Sequence, residues 1–439
     1  MTTTISAPAT VEEIVLPPVT SLPKRIFKHP RLMHHNRLAA LVLAANVPLL
    51  VRALTEGLGL AAMSGVVLAN FALAILIRQQ YVINVLFWLA TRAPVHWPLR
   101  IRWTLAKVYH FGGLHVGGAL AGTLWFLILT VSLTLAAIRR DPAISANQIV
   151  ISCALLIVLL TMVVMARPGY RAKRHNRFEL MHRFGGWTAL FLFWAQTVLL
   201  VRSGPGVSLL SAPQIWVLAL LTFSIALPWL RLRKVPVRVT RPSSHVALAH
   251  FTYGVTPFAG SSTAVSRRPL LEWHSFANVP SPGEPGFRLT ISRAGDWTGS
   301  FIDEMPSHVW VKGITTAGVA NIETLFSKVV YVATGSGIGP VLPHLLARKV
   351  PSRLVWATRS PRITYGDALV DEILSCQQDA TVWDTAEHGK PDMVRLAYEA
   401  YVAFGAEAVI CISNKKLTWE VVHGLERRGI PAYGAIWDS

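Results

Sequence analysis

Acidic residues are scarce in this chain. Its 439 residues carry 23 Asp and Glu against 42 Lys and Arg, a formal net charge of +19. Charged residues of either sign make up only 15% of the sequence. Cysteine is scarcer still. Cys153, Cys376 and Cys411 form no CxxC pair and no even set, which excludes a disulfide scaffold and a thiolate metal centre. Residues 1–23 lack the charged start and apolar core of a signal peptide and read, with the basic stretch to residue 36, as a disordered cytoplasmic tail. A positive balance of this size can mark a nucleic-acid binder. Here the basic residues cluster beside apolar runs, which fits membrane topology, so no nucleic-acid partner is expected. No internal repeat is visible.

Apolar residues, by contrast, are abundant: 52% of the chain, with a mean hydropathy of +0.43. They concentrate before Leu230. Runs at 38–54, 58–77, 116–138, 149–166, 187–201 and 215–230 each reach across a hydrocarbon core of about 30 Å once their flanks are added. The expectation is an α-helical membrane bundle of about six spans over residues 37–232. Positive charge alternates along it. Lys24 to Arg37, Arg78 to Lys107, Arg167 to Arg177 and Arg231 to Arg241 are the rich connections. The positive-inside rule then puts both termini and everything after Arg231 in the cytoplasm.

After Lys234 the pattern changes. Short alternating strands at 235–239, 245–251, 263–266, 287–292 and 309–312 suggest a small β-barrel over residues 235–322. From 326 to 439 strands and helices take turns, with strands at 329–332, 353–356, 380–383, 408–412 and 432–437. That is the rhythm of a doubly wound parallel sheet. Its first strand runs straight into Gly335-Ser336-Gly337-Ile338-Gly339-Pro340, and a helix follows. Glycines there let the backbone come close to a ligand, and the helix N-terminus attracts phosphate.

A barrel followed by such a domain resembles the ferredoxin–NADP reductase superfamily, and the motifs resemble its membrane branch of ferric reductases and NADPH oxidases. Trp273-His274-Ser275-Phe276-Ala277-Asn278 stands where that branch has His-Pro-Phe-Thr. His274 and Phe276 match; Ser275 and Ala277 depart, with Asn278 as a substitute polar group. Gly295-Asp296-Trp297-Thr298-Gly299-Ser300 resembles the turn before the flavin-pyrophosphate helix. The resemblance implies FAD at His274, Ser275, Phe276, Asn278, Trp297, Thr298, Gly299 and Ser300, with Thr298 or Ser300 capping the helix. It implies NADPH or NADH at Gly335 through Pro340, and Arg359 as a fork for a 2′-phosphate. Cys411 stands at the family's Cys-Gly-Pro, and Trp437 is the near-terminal aromatic; both become catalytic candidates.

The bundle resembles the ferric-reductase transmembrane domain with incomplete haem ligands. His110 and His182 match the inner ligand positions, while Leu124 and Gln196 stand where outer ligands would be. The resemblance implies at most one haem b, held by His110 and His182, with His115 spare. The function expected is a membrane-bound NAD(P)H:acceptor oxidoreductase working through FAD, its acceptor unidentified. The alternatives are a haem-free anchored flavoprotein acting on a small molecule, and a degenerate reductase kept as a signalling scaffold.

Overall fold

The computed structural model describes residues 15–21, 29, 32–204 and 208–434. Trp437 and most of the N-terminal tail lie outside these. Within the tail, Thr20 is anchored, its amide and hydroxyl both donating to the Arg427 carbonyl at 2.9 Å.

The first half is helical: α1 (His34–Thr55), α2 (Leu60–Leu76), α3 (Gln80–Ala90), α4 (Leu99–Leu105), a 3₁₀ turn (Ala106–Phe111), α5 (Gly112–Ile138), α6 (Ala146–Met165), α7 (Pro168–Lys173), α8 (His175–Arg202) and α9 (Pro213–Leu230). Among the described residues, five helical spans are long and apolar enough to cross a membrane. Helices α2 and α3, bent by 71° at a short break, make a sixth if counted as one.

Helix α5 is the centre, packed against α1, α2 and α6. Small residues let it approach. A Cβ at Gly117 would lie 2.8 Å from the Ala39 carbonyl oxygen, and one at Gly118 2.7 Å from that of Asn70. Polar side chains lock the contact. The Asn46 and Asn70 amides exchange bonds of 3.0 and 2.9 Å, and Trp125 Nε1 donates to Asn46 Oδ1 at 2.9 Å. The outward faces stay apolar, with Leu41, Leu54, Ile157, Phe191 and Trp216 all exposed.

Two antiparallel sheets follow. One runs β1 (Leu232–Pro236), β7 (His308–Lys312), β4 (Ser261–Ser266), β5 (His274–Ala277), with β8 (Thr316–Ala317) beside β4. The other runs β2 (Arg238–Thr240), β3 (Val246–Phe251), β6 (Phe287–Ser292). Their inner faces share a core of Val235, Phe251, Leu289, Ile291 and Val311, closed by Trp297 and Phe301 of α10 (Asp296–Glu304).

The last part is one parallel sheet, ordered β11 (Thr381–Asp384), β10 (Ser352–Thr358), β9 (Val329–Thr334), β12 (Ala408–Ile412), β13 (Ala432–Tyr433). Helices α11 (Ile338–Ala347), α12 (Pro361–Tyr365), α13 (Asp367–Cys376), α14 (Met393–Phe404) and α15 (Lys415–Glu426) connect the strands. Strand order reverses between β9 and β12, and ligands bind at such a switch point in doubly wound sheets.

The helical half and the sheets are bolted together by polar contacts. Arg102, only 4% exposed, forks onto Glu407 at 2.7 and 3.0 Å and also donates to the Leu325 carbonyl at 2.8 Å. Asn84 brackets the end of the barrel, donating to Thr315 O and accepting from the Ala317 amide, both at 2.9 Å. Lys107 pairs with Glu426 at 2.6 Å.

Hydrogen bonding from the Arg102 guanidinium holds the Glu407 carboxyl down at about 2. A carboxyl depressed in the folded state stabilises above its unfolded value and loses that contribution as pH falls toward its folded value. Docking of the nucleotide domain should therefore loosen between pH 4.5 and about 2. Thermal unfolding of Glu407→Gln across that window should lack this component; a slope equal to wild type would rule the pair out as its source.

Candidate active site

The glycine-rich loop is held from both sides. Gly335 takes φ +48°, a left-handed conformation suited to glycine, and its carbonyl accepts from Trp356 Nε1 at 3.1 Å. Gly337 needs no special dihedral, at φ −59°. It is glycine because β12 passes beside it: a Cβ there would sit 2.0 Å from the Ile412 carbonyl oxygen. Gly339 lies against Thr290 of β6, where a Cβ would be 3.4 Å from the Thr290 Cβ. Ser336 and Ile338 complete the turn. The helix starts at Ile338, so Pro340 lies inside its first turn rather than opening it. Loop and helix N-terminus thus stand at the switch point.

Arg359 ends β10 and is exposed. The acid at the end of the next strand, Asp384, is already bound by the Ser360 and Ala386 amides at 2.9 and 2.8 Å. Arg362 nearby is taken up by Asp367 and Asp371. Among the described residues no ion pair takes up the exposed Arg359 guanidinium.

Cys411 is corrected. It lies wholly buried in the middle of the sheet, and burial pushes its thiol up to about 12. A neutral thiol packed with Val332, Val421 and Val422 is a core residue, not a catalytic one. Trp437, the other catalytic candidate, lies outside the described residues.

The barrel brings His274, Phe276 and Trp297 together. His274 and Phe276 project from one face of β5, and Trp297 stacks on both, with ring centroids 4.2 and 5.9 Å apart. Burial lowers the pKa of His274 and favours its neutral form. Ser275 and Ala277 occupy the opposite face of the strand, where Ser275 is exposed. Asn278 faces inward instead, fully buried, donating Nδ2 to Ser261 Oγ at 2.8 Å. Its Oδ1 and the Trp297 Nε1 are buried without a partner, orphaned polar atoms beside the strand that the flavin resemblance singled out.

The cap is also corrected. Thr298 sits inside α10, and its hydroxyl reaches back to accept from the Ala294 and Gly295 amides at 2.9 and 3.1 Å. Ser300 lies deeper in the same helix. The N-cap itself is Gly295, which has no side chain to cap with, and Thr298 closes the capping box from the third position of the helix. Helix α11 packs against both β5 and β6, which places the expected flavin strand against the expected nucleotide helix.

The pairing of His110 with His182 does not occur. His110 belongs to the 3₁₀ turn, lies tilted against the Tyr109 ring at 4.2 Å and stacks with His34 at 6.0 Å. The ring facing His182 is His115, with centroids 6.1 Å apart. His115 Nδ1 lies 2.8 Å from the Ala74 carbonyl, which fixes its ring. Both rings line a cavity of about 790 Å³ between α2, α5, α6, α8 and α9. Its walls are mostly apolar, including Leu68, Phe71 and Phe193, and its rim carries Arg78, Arg183 and Lys312. Three buried polar atoms on residues of this lining, Gln80 Oε1, His182 Nδ1 and Ser224 Oγ, have no partner among the described residues.

A line of indoles joins the cavity to the flavin strand. Trp187 and Trp229, on the cavity wall, lie 5.2 Å apart by centroid, and Trp229 lies 6.2 Å from Trp273, next to His274. Lys312 sits over Trp273 at 4.6 Å and Trp229 at 5.5 Å. Burial, with Arg183 nearby, pulls its ammonium down to about 8. Sequence reasoning missed this line because its three tryptophans come from α8, the end of α9 and the loop before β5.

Residues 319–439 match the family model of the C-terminal domain of adenylate-forming reductase 03009. Two curated proteins of Coprinopsis cinerea are similar along nearly the whole chain. Adenylate-forming reductase 03009 is 42% identical over 422 residues, covering 94% of this chain and 41% of that protein. Adenylate-forming reductase 06235 is 41% identical over the same length, with the same coverage. The chain thus spans about two fifths of the length of these relatives. Among solved structures, a ferredoxin NADP+ reductase from Neisseria gonorrhoeae with bound FAD and NADP aligns with 46% of this chain and 98% of its own, at 13% identity and a TM-score of 0.38.

Proposed function

We propose that this chain is a membrane-embedded reductase that takes hydride from NADPH onto FAD and passes reducing equivalents into the helical bundle. The observation that carries the reading is the contact of β5 with α11, which sets the flavin strand against the helix of the glycine loop at the switch point. FAD would be held by the start of α10 and by the β5 edge at Ser275. NADPH would be held by the loop Gly335–Gly339, with Arg359 on the 2′-phosphate. These cofactors supply the hydride chemistry; the chain orients them.

The exposed apolar belt of the helices supports a bilayer setting, and the Lys and Arg alternation supports a cytoplasmic flavin module. The relatives' name joins adenylate formation to reduction. We assign this chain the reductive part, because the model of the relatives' C-terminal domain matches residues 319–439, which carry the glycine loop.

The bundle cavity is the place for the electron acceptor. Where a single haem b is held, the residues that fit are His115 and His182, with Arg78 and Lys312 at the rim for its carboxylates. Haem would accept single electrons there. The indoles Trp273, Trp229 and Trp187 bridge the distance from the flavin strand.

Purified protein in detergent tests each part. FAD should copurify, and anaerobic NADPH should bleach it. Arg359→Ala should weaken NADPH by roughly tenfold or more and leave NADH nearly unchanged, on the scale of one charge-assisted bond of about 1.5–3 kcal/mol. A Soret band should vanish in His115→Ala and in His182→Ala but persist in His110→Ala. Flavin-free protein that stays flavin-free on reconstitution would end the reductase reading. Flavin without any Soret band would assign the cavity to a lipophilic small acceptor instead.

A further inference from the structure

Helix α3 is apolar on two faces, and the fold covers one of them. Ile83, Phe87 and Ala90 recur at helical spacing and are buried. Ile83 and Phe87 belong to the core that includes Leu325, Phe326 and Val329. The other face carries Tyr81, Val85, Trp88 and Leu89, at positions i, i+4, i+7 and i+8, all exposed. Exposed apolar surface continues beyond the helix with Val95, Trp97 and Ile101. Residues 78–107 contain no acid and five cations, Arg78, Arg92, Arg100, Arg102 and Lys107. Arg102 and Lys107 turn inward to Glu407 and Glu426. Arg92 and Arg100 are exposed, and among the described residues no ion pair takes them up. The Arg92 guanidinium lies over the Trp88 ring, 4.7 Å from its centroid.

Charge and position both say what covers this face. Indoles beside guanidinium groups, with no acid among them, complement phosphate headgroups lying over acyl chains. The chain turns through 71° between α2 and α3, so α3 lies across the line of α2. Arg231, the residue after α9, donates to the Tyr81 hydroxyl at 2.8 Å, which sets the start of α3 level with the end of that apolar helix. We propose that the outer face of α3, with the turn running on to Ile101, lies in the headgroup–acyl boundary of an anionic bilayer. Val85, Trp88 and Trp97 enter the acyl side, and Arg92 and Arg100 meet the phosphates. This rests on the reading that the bundle lies in a bilayer. The inner face of the same helix holds the end of the barrel through Asn84, so the contact moors the flavin module at the membrane surface.

The test uses the full chain in vesicles of phosphatidylcholine and phosphatidylserine. Cys153→Ser and Cys376→Ser remove the accessible thiols, and Cys411 stays buried. A nitrobenzoxadiazole label is then placed at Val85→Cys, with controls at Leu124→Cys on α5 and Ile363→Cys on α12, all three exposed positions. The label at position 85 should be quenched by lipid carrying a nitroxide near its headgroup and be shielded from aqueous iodide. The label at 124 should respond to a nitroxide deep in the acyl chain, and the label at 363 to iodide alone. Fluorescence lifetimes give the ratio of engaged to free chains at position 85. Arg92→Gln with Arg100→Gln should lower that ratio by roughly tenfold or more, and so should phosphatidylcholine alone. Deep quenching at 124 with iodide quenching at 85 would overturn the proposal while leaving the bundle in the bilayer. Shallow quenching at 85 with no lipid quenching at 124 would keep this contact and remove the spanning bundle instead. A label at 85 shielded from both lipid nitroxide and iodide would place a second protein copy on this face, and that too overturns the proposal.

Discussion

Gly337→Ala should weaken NADPH in flavin reduction by about a hundredfold while FAD stays bound. The reason is space. The residue's dihedral suits any amino acid, yet a methyl group there would lie 2.0 Å from the Ile412 carbonyl oxygen and 2.9 Å from its carbon. Both atoms are backbone in the neighbouring strand, so no rotamer change relieves the clash. The loop must move away from β12, and the amides meant for the pyrophosphate move with it. Overpacking of this kind costs about 1–3 kcal/mol or more, and a loss near 2.7 kcal/mol is about a hundredfold. Gly335→Ala is the control with a different cause. It meets only the Tyr365 hydroxyl at 3.9 Å but must hold φ +48°. Left-handed strain of about 1–2 kcal/mol predicts roughly a tenfold loss. Anaerobic NADPH titration followed at the flavin absorbance separates the two, with dithionite reduction showing that the flavin is intact. Wild-type affinity in Gly337→Ala would mean that nucleotide does not bind against this loop.

The positions that were legible in the sequence are those where local pattern and tertiary role coincide. The buried β9 run and the glycines after it announced themselves because a central parallel strand is apolar on both faces and its turn needs small residues. Helix α14 shows its period in the sequence, since its buried residues Met393, Ala397 and Ala400 recur at helical spacing. The failures have physical causes too. Helices α3 and α4 were hidden because they are short and set among the arginines of the basic connection between Arg78 and Lys107. His110 was matched to His182 by the ligand positions that the ferric-reductase resemblance implies. Residues 106–111 form a 3₁₀ turn, with three residues per turn rather than 3.6, so the phase carried through it is wrong and His115 arrives at the interface instead. Cys411 sits in a strand buried on both sides, where spacing cannot tell a packed thiol from a reactive one. The acidic partner of Arg102 lies 305 residues away, beyond any local signal.

Glu323→Ala should be the most damaging single substitution in the barrel–nucleotide seam. Glu323 is 2% exposed, yet it accepts from the Tyr331 hydroxyl at 2.6 Å and pairs with His344 Nδ1 at 2.7 Å. Burial and the neighbouring carboxylate raise the Tyr331 hydroxyl far above its ordinary range, so it stays a proton donor at every accessible pH. His344 in turn fills the space behind Gly260, where a Cβ would lie 2.6 Å from its Nε2. Gly260 leads into β4, and Asn321 ties it again by donating to its carbonyl. The carboxylate therefore sits between a strand of the nucleotide sheet, the helix α11 and the flavin barrel. Removing it strands two buried donors at once and costs roughly 3–5 kcal/mol, the scale of breaking a buried pair from one side. Glu323→Gln keeps an acceptor of the same shape and should cost only about 1–2 kcal/mol. Thermal midpoints should rank wild type, Gln, Ala in that order. NADPH-dependent flavin reduction should fall further than FAD content does, because the seam aligns the two cofactor surfaces before it holds either cofactor. Equal midpoints for Ala and Gln would show that the carboxylate carries no such load, and a loss of FAD in step with activity would place its effect in the barrel alone.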